Sequence, residues 1–161
     1  MPSASGGAAA ACPGSPQSTS ISRAQGVRVR TAVDSSVLLD VIVNDVTFAD
    51  RSEGALRRVA REGALILCEC VLAEIRPALQ APQIDEFLSD WNLEFVPSTR
   101  ESALLAGEMF QAYLERRRSG GARVVADFLI AAHATCMADR LLARDRGYTR
   151  DYFRHLRLLE P

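Results

Sequence analysis

Val27–Asp40, read as VRVRTAVDSSVLLD, sets the terms for the rest of the chain. Val27, Val29, Ala32 and Val33 form a short β-prone apolar segment that stops at Asp34. Two hydroxyl residues follow, then the helical-looking run Val37–Val43. A buried strand with an acid at its carboxyl end, opening into a helix, is where open α/β sheets put their ligands. Asp and Ser are also ordinary helix N-caps. Asp34 therefore gains meaning only if later acids return to the same edge.

The pattern after Asp34 alternates between two periods. A first strand over about 27–33 and its helix are followed by a break at Asn44-Asp45. Phe48, Ser52, Ala55, Leu56 and Val59 recur at helical spacing, with Thr47 as the cap and Glu53 paired with Arg57 one turn on. Gly63 ends that helix, and Ala64–Cys68 reads as strand two. Glu69–Arg76 is helical, with Val71, Ile75 and Leu79 on one stripe, and Pro77 kinks or ends it. Pro82–Trp91 is a short helix and Leu93–Val96 strand three. Ser98-x-x-Glu101 fits a capping box opening a helix to about Arg118, with Ala106, Met109, Phe110, Tyr113 and Leu114 on its apolar face. After a break at Ser119-Gly120-Gly121, Val124–Ala138 is an Ala-rich helix apolar enough to be buried on much of its surface. Arg140–Ala143 is strand four, Arg146–Arg154 a polar turn with aromatics, and Leu156–Leu159 a weak fifth strand. Strands alternating with helices predict an α/β three-layer sandwich around a parallel sheet of four to five strands.

Residues 1–26 are mostly Ala, Gly, Ser, Pro and Gln with one Arg. They bury too little apolar surface to offset ordering entropy, so a disordered tail is expected, followed by one domain over 27–161. The tail lacks the basic start and long apolar stretch of a signal peptide. No apolar run approaches the roughly 20 residues of a membrane-spanning helix, and a cytoplasmic location is expected. Cys12, Cys68, Cys70 and Cys136 have no partners at metal-finger spacing and read as small apolar residues in a reducing compartment.

Asp34 follows strand one and Asp145 follows strand four, so both belong to the carboxyl edge of a parallel sheet. Glu74 lies about two turns into the helix after strand two, beside the stripe residue Ile75. Asp127 is in the first turn of the most apolar helix, whose N-terminus favours its ionised form. Ala131 and Ala134, one and two turns on, leave space over it. Each acid alone has an ordinary explanation as a helix-start acid, a surface residue or a turn former. Together they form a crevice in which each close pair of carboxylates repels by about 4 kcal/mol at an effective dielectric near 20. Cations make such a cluster tolerable. Oxygen-only ligands suit Mg²⁺ or Mn²⁺ rather than Zn²⁺, and carboxylate sites holding such ions hydrolyse phosphodiesters.

The ordered set AVDSSVLLD, VLAEI, VVADFLIAAHA and LLARDRGYTRDYF resembles a PIN-domain ribonuclease and is most similar to the VapC toxins of bacterial toxin–antitoxin pairs. DSS and AE are weak motifs alone; the third and fourth blocks, in this order and spacing, are specific. By position, the resemblance puts the metal-binding, catalytic acids on Asp34, Glu74, Asp127 and Asp145. It implies a Mg²⁺- or Mn²⁺-dependent endonuclease cutting structured RNA such as a tRNA or rRNA loop. It also implies a homodimer held inactive by a small cognate antitoxin. One position departs from the pattern: many members carry Thr or Ser two residues before the last acid, where this chain has Ala143. A hydroxyl there orients a metal-bound water. Its absence motivates a second reading, a catalytically weak module that binds an antitoxin or RNA without turnover. A nucleotide binder or aspartyl-phosphate phosphatase is disfavoured. The chain has no G-x-G-x-x-G or P-loop, and Ser36 stands where a phosphatase needs a second Asp.

Ser35 and Ser36 read first as capping residues and second as donors to the acids. Asp151 reads as a solvated acid. His133 is expected to face out of its helix with a packing role. Residues 27–161 hold 18 Arg (19 less Arg23) against 20 acids, a net −2 that two divalent ions would bring to +2. An acidic chain is therefore compatible with RNA. The RNA-binding candidates are Arg123, Arg144 and Arg146, with Arg116, Arg117, Arg118 and Arg150 nearby, and for any one of them a solvated charge is the favoured explanation. Tyr148 and Tyr152 either stack on splayed bases or pack against strand five.

Overall fold

The computed structural model describes residues 29–116, 125–144 and 148–161. The expected tail at 1–26, the break at Ser119–Gly121, and Asp145, Arg117, Arg118, Arg123 and Arg146 lie outside them. Five parallel strands are ordered β3-β2-β1-β4-β5: β1 (Val29–Val33), β2 (Gly63–Leu67), β3 (Leu93–Phe95), β4 (Arg140–Leu142) and β5 (Leu158–Leu159). The chain leaves β1 toward β2 on one side and later returns to its other side with β4. The order thus reverses at β1, and the gap between the carboxyl ends of β1 and β4 is the switch point.

Seven α-helices connect the described strands. They are α1 (Ser35–Ile42), α2 (Ala49–Glu62), α3 (Glu69–Ile75), α4 (Ala81–Asp90), α5 (Arg100–Arg116), α6 (Val125–Met137) and α7 (Tyr148–Tyr152), with a 3-10 turn over Arg76–Ala78 where Pro77 stops α3. The result is the expected three-layer α/β sandwich. Asn44 and Asn92 take left-handed backbone conformations just beyond α1 and α4, with φ of 51° and 49°; Asn tolerates this region better than most residues.

The core has two parts. One surrounds the sheet: Ala32 and Val33 of β1, Leu65–Leu67 of β2, and Leu141 and Leu142 of β4 meet Val37, Leu38, Leu56, Val59, Val71 and Ile75. The other joins Leu105 and Ala106 of α5, Phe128, Ala131 and Ala132 of α6, and Phe153. Helix α6 belongs to both, since Ile130 and Ala134 face the first cluster. This double burial accounts for its apolar composition, with Ala allowing close approach on two sides.

Several local expectations shift. Thr47 does not cap α2; the Asp45 carboxylate accepts the amides of Thr47 (2.8 Å) and Phe48 (2.9 Å). The α5 capping box falls one residue later than Ser98–Glu101. Thr99 Oγ1 accepts from the Ser102 amide at 3.2 Å, and Ser102 Oγ accepts from the Thr99 amide at 2.9 Å. Leu114 is exposed, while Ala106 is buried and Phe110 and Tyr113 pack on the second cluster. Glu53 and Arg57 pair as expected.

His133 turns inward rather than outward: it is 1% exposed, and its Nε2–H donates to the Val96 carbonyl at 2.8 Å. Burial lowers its pKa and keeps it neutral. Cys68 and Cys70 are free thiols whose pKa values burial raises, Cys70 to about 11, which makes them poor nucleophiles. Cys136 is partly buried against the second core cluster.

Candidate active site

Asp34 is the first residue beyond β1, and its amide donates to the Leu142 carbonyl of β4 at 2.9 Å. That bond continues the β1–β4 ladder one residue past the strand and fixes Asp34 at the switch point. Its extended backbone (φ −79°, ψ 151°) makes it the N-cap of α1. The carboxylate Oδ2 accepts from the Ser36 amide at 3.0 Å and from the Ser36 hydroxyl. Capping therefore belongs to Asp34, and the serines serve the acids. The Ser35 hydroxyl donates to Glu74 Oε2, tying the start of α1 to α3.

Glu74 is partly buried on α3, and its pKa is raised. Burial is the largest cause; the Ser35 hydrogen bond works against it, and the charges of Asp34 and Asp127 add to it. Asp127, in the first turn of α6, is half-buried. The fold thus brings Asp34, Glu74 and Asp127 from three separate elements to one crevice. Among the described residues no three carboxylate, imidazole or thiol groups gather tightly enough to hold a metal ion by themselves. Glu74 feels the charges of Asp34 and Asp127, and the three do not close to ligand spacing. The donor set, all carboxylate oxygens with hydroxyls behind them, fits a hard divalent cation in its chemistry.

Asp40 is a site-adjacent acid that the sequence reading passes over. It is 3% exposed on α1, accepts from Ser52 Oγ of α2 at 2.6 Å, and lies 3.3 Å from Arg144 Nε. The signal available in the sequence is an acid inside the apolar run VLLDVIV, since Asp is rarely fully buried unless paired. Arg144 has protein partners on several sides. Besides Asp40, its guanidinium carbon sits 4.5 Å from the centroid of the Phe48 ring. Its amide donates to Ser36 Oγ at 3.3 Å. Arg116 lies over the Tyr152 ring, and Arg150 pairs with Glu160. Tyr152 packs against Tyr113 and Phe128, which favours the packing reading of its ring. Ala143 is buried, and its amide donates to the Leu159 carbonyl at 3.0 Å.

A parallel sheet with a switch point at β1 and acids from β1, α3 and α6 facing that gap defines an α/β domain with a carboxylate crevice. The family model described as "PIN domain" matches residues 31–153, and the chain belongs to the PIN-domain family. Solved structures with similar folds include the following three. VapBC2 from Rickettsia felis, bound to a DNA fragment from their promoter, has TM-score 0.62 and 20% identity over 81% of this chain and 98% of that one. FitAcB from Neisseria gonorrhoeae has TM-score 0.56 and 17% identity over 80% and 96%. DNA-bound VapBC from Salmonella typhimurium has TM-score 0.55 and 16% identity over 82% and 98%. No curated protein matches the chain by sequence. Among the described residues no helix is long and apolar enough to cross a membrane.

Proposed function

We propose that this protein is a Mg²⁺- or Mn²⁺-dependent endoribonuclease, the toxin of a toxin–antitoxin pair, hydrolysing phosphodiester bonds in structured RNA such as tRNA or rRNA. The observation that carries the reading is Glu74: its proton affinity is raised by burial and by the charges of Asp34 and Asp127 together. Three acids gathered at one crevice against their own repulsion are a poor structural solution unless a cation joins them. Asp34, Glu74 and Asp127 would hold the ion, with Asp145 as the fourth acid next to Arg144 in the chain. A bound ion would supply activation of the attacking water and stabilisation of charge on the leaving oxygen. The protein's own part is orientation. Ser35 steers the Glu74 carboxylate, Ser36 steers that of Asp34, and the β1–β4 ladder fixes where Asp34 begins.

Arg123 and Arg146, near Asp127 and Asp145 in sequence, are proposed phosphate contacts, so RNA affinity should fall with salt. A cognate antitoxin is the proposed partner, supported by the likeness to VapBC structures; a homodimer and a cytoplasmic location complete the reading. The test is cleavage of total bacterial RNA by purified, antitoxin-free protein with Mg²⁺, with Mn²⁺ and with chelator, beside Asp127→Asn. Discrete metal-dependent products absent in the variant are expected. Full activity in Asp127→Asn would remove the site assignment. Ala143 favours the second reading, a binding module without turnover. Absence of cleavage by folded protein in either metal would establish it and make Ala143→Thr the first reversion to make.

A further inference from the structure

We infer that Arg144 is a positioning residue: paired with the buried Asp40, it clamps the exit of β4 onto α1 and so sets the geometry of the acid crevice. Ser36 and Asp40 lie one turn apart on α1, so they share a face. Arg144 spans both, with its backbone amide on Ser36 Oγ (3.3 Å) and its Nε 3.3 Å from Asp40 Oδ2. The Nε contact is an ion pair without hydrogen-bond alignment. Ser36 Oγ in turn donates to Asp34. One residue thus connects the acid at the end of β1 to the chain segment that leads into Asp145.

The alternative role, gripping a substrate phosphate, asks Arg144 to leave Asp40. Asp40 is 3% exposed, and Ser52 Oγ would be its remaining partner. Removing one member of a buried pair leaves an uncompensated charge and is strongly unfavourable. Phe48 covers one face of the guanidinium, and the Arg144 side chain is 28% exposed. The clamp acts at the strand exit where Ala143 carries no hydroxyl, so order there comes from α1 instead. The contacts to Asp40 and Ser36 stand independently of any metal; the consequence for the acids rests on the metal-dependent reading above.

The test compares full-length wild type with Arg144→Gln, Arg144→Lys and Asp40→Asn, each first shown by thermal melting to be folded. Amide hydrogen exchange is followed over residues 33–40 and 140–144 without metal, Mn²⁺ affinity by calorimetry, and binding of bulk tRNA as a function of salt. Arg144→Gln and Asp40→Asn are expected to accelerate exchange locally and to weaken Mn²⁺ binding by about tenfold, the scale of lost supporting contacts around a metal site. Arg144→Lys should recover part of both, and the salt slope of tRNA binding should not change. The clamp is overturned if exchange and Mn²⁺ affinity stay at wild-type values while Arg144→Gln lowers the salt slope by about 1, the signature of a lost phosphate contact. Faster exchange spread evenly over the whole chain would also overturn it, by showing a general stabiliser. If wild type binds no Mn²⁺ yet local exchange still responds, the metal reading fails and the clamp stands.

Discussion

Asp34, Ser35 and Ser36 are consecutive, yet their side chains serve different elements. Asp34 caps its own helix, Ser35 reaches across to Glu74, and Ser36 returns to Asp34 while accepting the Arg144 amide. A helix start allows this because its first residues point in three directions within one turn. Ser35→Ala removes a hydrogen bond to a charged group, worth roughly 1.5–3 kcal/mol. It should leave the fold intact and lower metal-dependent cleavage by about tenfold or more at saturating RNA; unchanged turnover would show that Glu74 needs no steering. His133 makes a separate prediction about pH. Its folded pKa lies below the ordinary 6.5 because it is buried, so its contribution to stability is present above that value and is lost as pH falls through the folded pKa. Glu69 is pushed up by burial but brought below its ordinary value on balance, foremost by the hydrogen bond from the Ser98 amide; its contribution is present above the ordinary carboxylate value and lost as pH falls through the folded one. On acidification from neutrality the His133 share lowers the thermal midpoint while Glu74, whose pKa is raised, works the other way, and His133→Gln should remove the destabilising share nearest pH 6. A variant with the wild-type slope would assign that loss elsewhere.

At the level of elements, the junction of α2 and β2 leaves no room for a side chain. Gly63 lies opposite Val29 in the β1–β2 register, and a Cβ there would fall 1.8 Å from the Val29 carbonyl oxygen. Backbone, not a side-chain tip, blocks it, so relief means parting two central strands. Gly63→Ala is expected to cost at least the upper end of the ~1–3 kcal/mol typical of overpacking, read as a lowered urea midpoint. Gly54 and Gly107 differ in this respect: a Cβ at either would meet nothing within 4 Å. Each strand is legible as an apolar run, and the helices as 3.6-residue stripes. The ends are less so. Thr47 and Ser98 are plausible caps by composition, but the amides go to Asp45 and to the Thr99–Ser102 pair. Neighbouring hydroxyl and carboxylate residues compete for the same donors, and the winner depends on where the chain turns.

Across the whole molecule, α6 links the two parts of the core and carries Asp127 at its start. Phe128 is fully buried in the second part, with its ring 5.3 Å from that of Phe110 and 5.7 Å from that of Tyr152. Phe128→Ala should destabilise by roughly 3–5 kcal/mol. It should also weaken Mn²⁺ binding in the protein that remains folded, because the neighbouring acid loses its support. Intact Mn²⁺ affinity would show that α6 is held by the sheet side alone. Ion binding should itself raise the thermal midpoint in wild type, in proportion to RT ln(1 + [Mn²⁺]/Kd), and not in Asp127→Asn. A shift of equal size in both proteins would place the ion away from Asp127.

The sequence alone determined the alternation of strands and helices and the α/β class. It also placed Asp34 at the carboxyl end of β1 and Asp127 in the first turn of α6, because hydrophobic period and chain order are local properties. It could not decide which polar groups become partners. Asp40 and Arg144 are 104 residues apart, counted from their numbers, and His133 and Val96 are 37 apart. Such pairs exist only once β4 returns beside β1 and α6 closes against β3's exit. Burial then settles each role: a charge removed from water must take the partner that packing supplies, and packing is a property of the assembled sheet rather than of any segment of the chain.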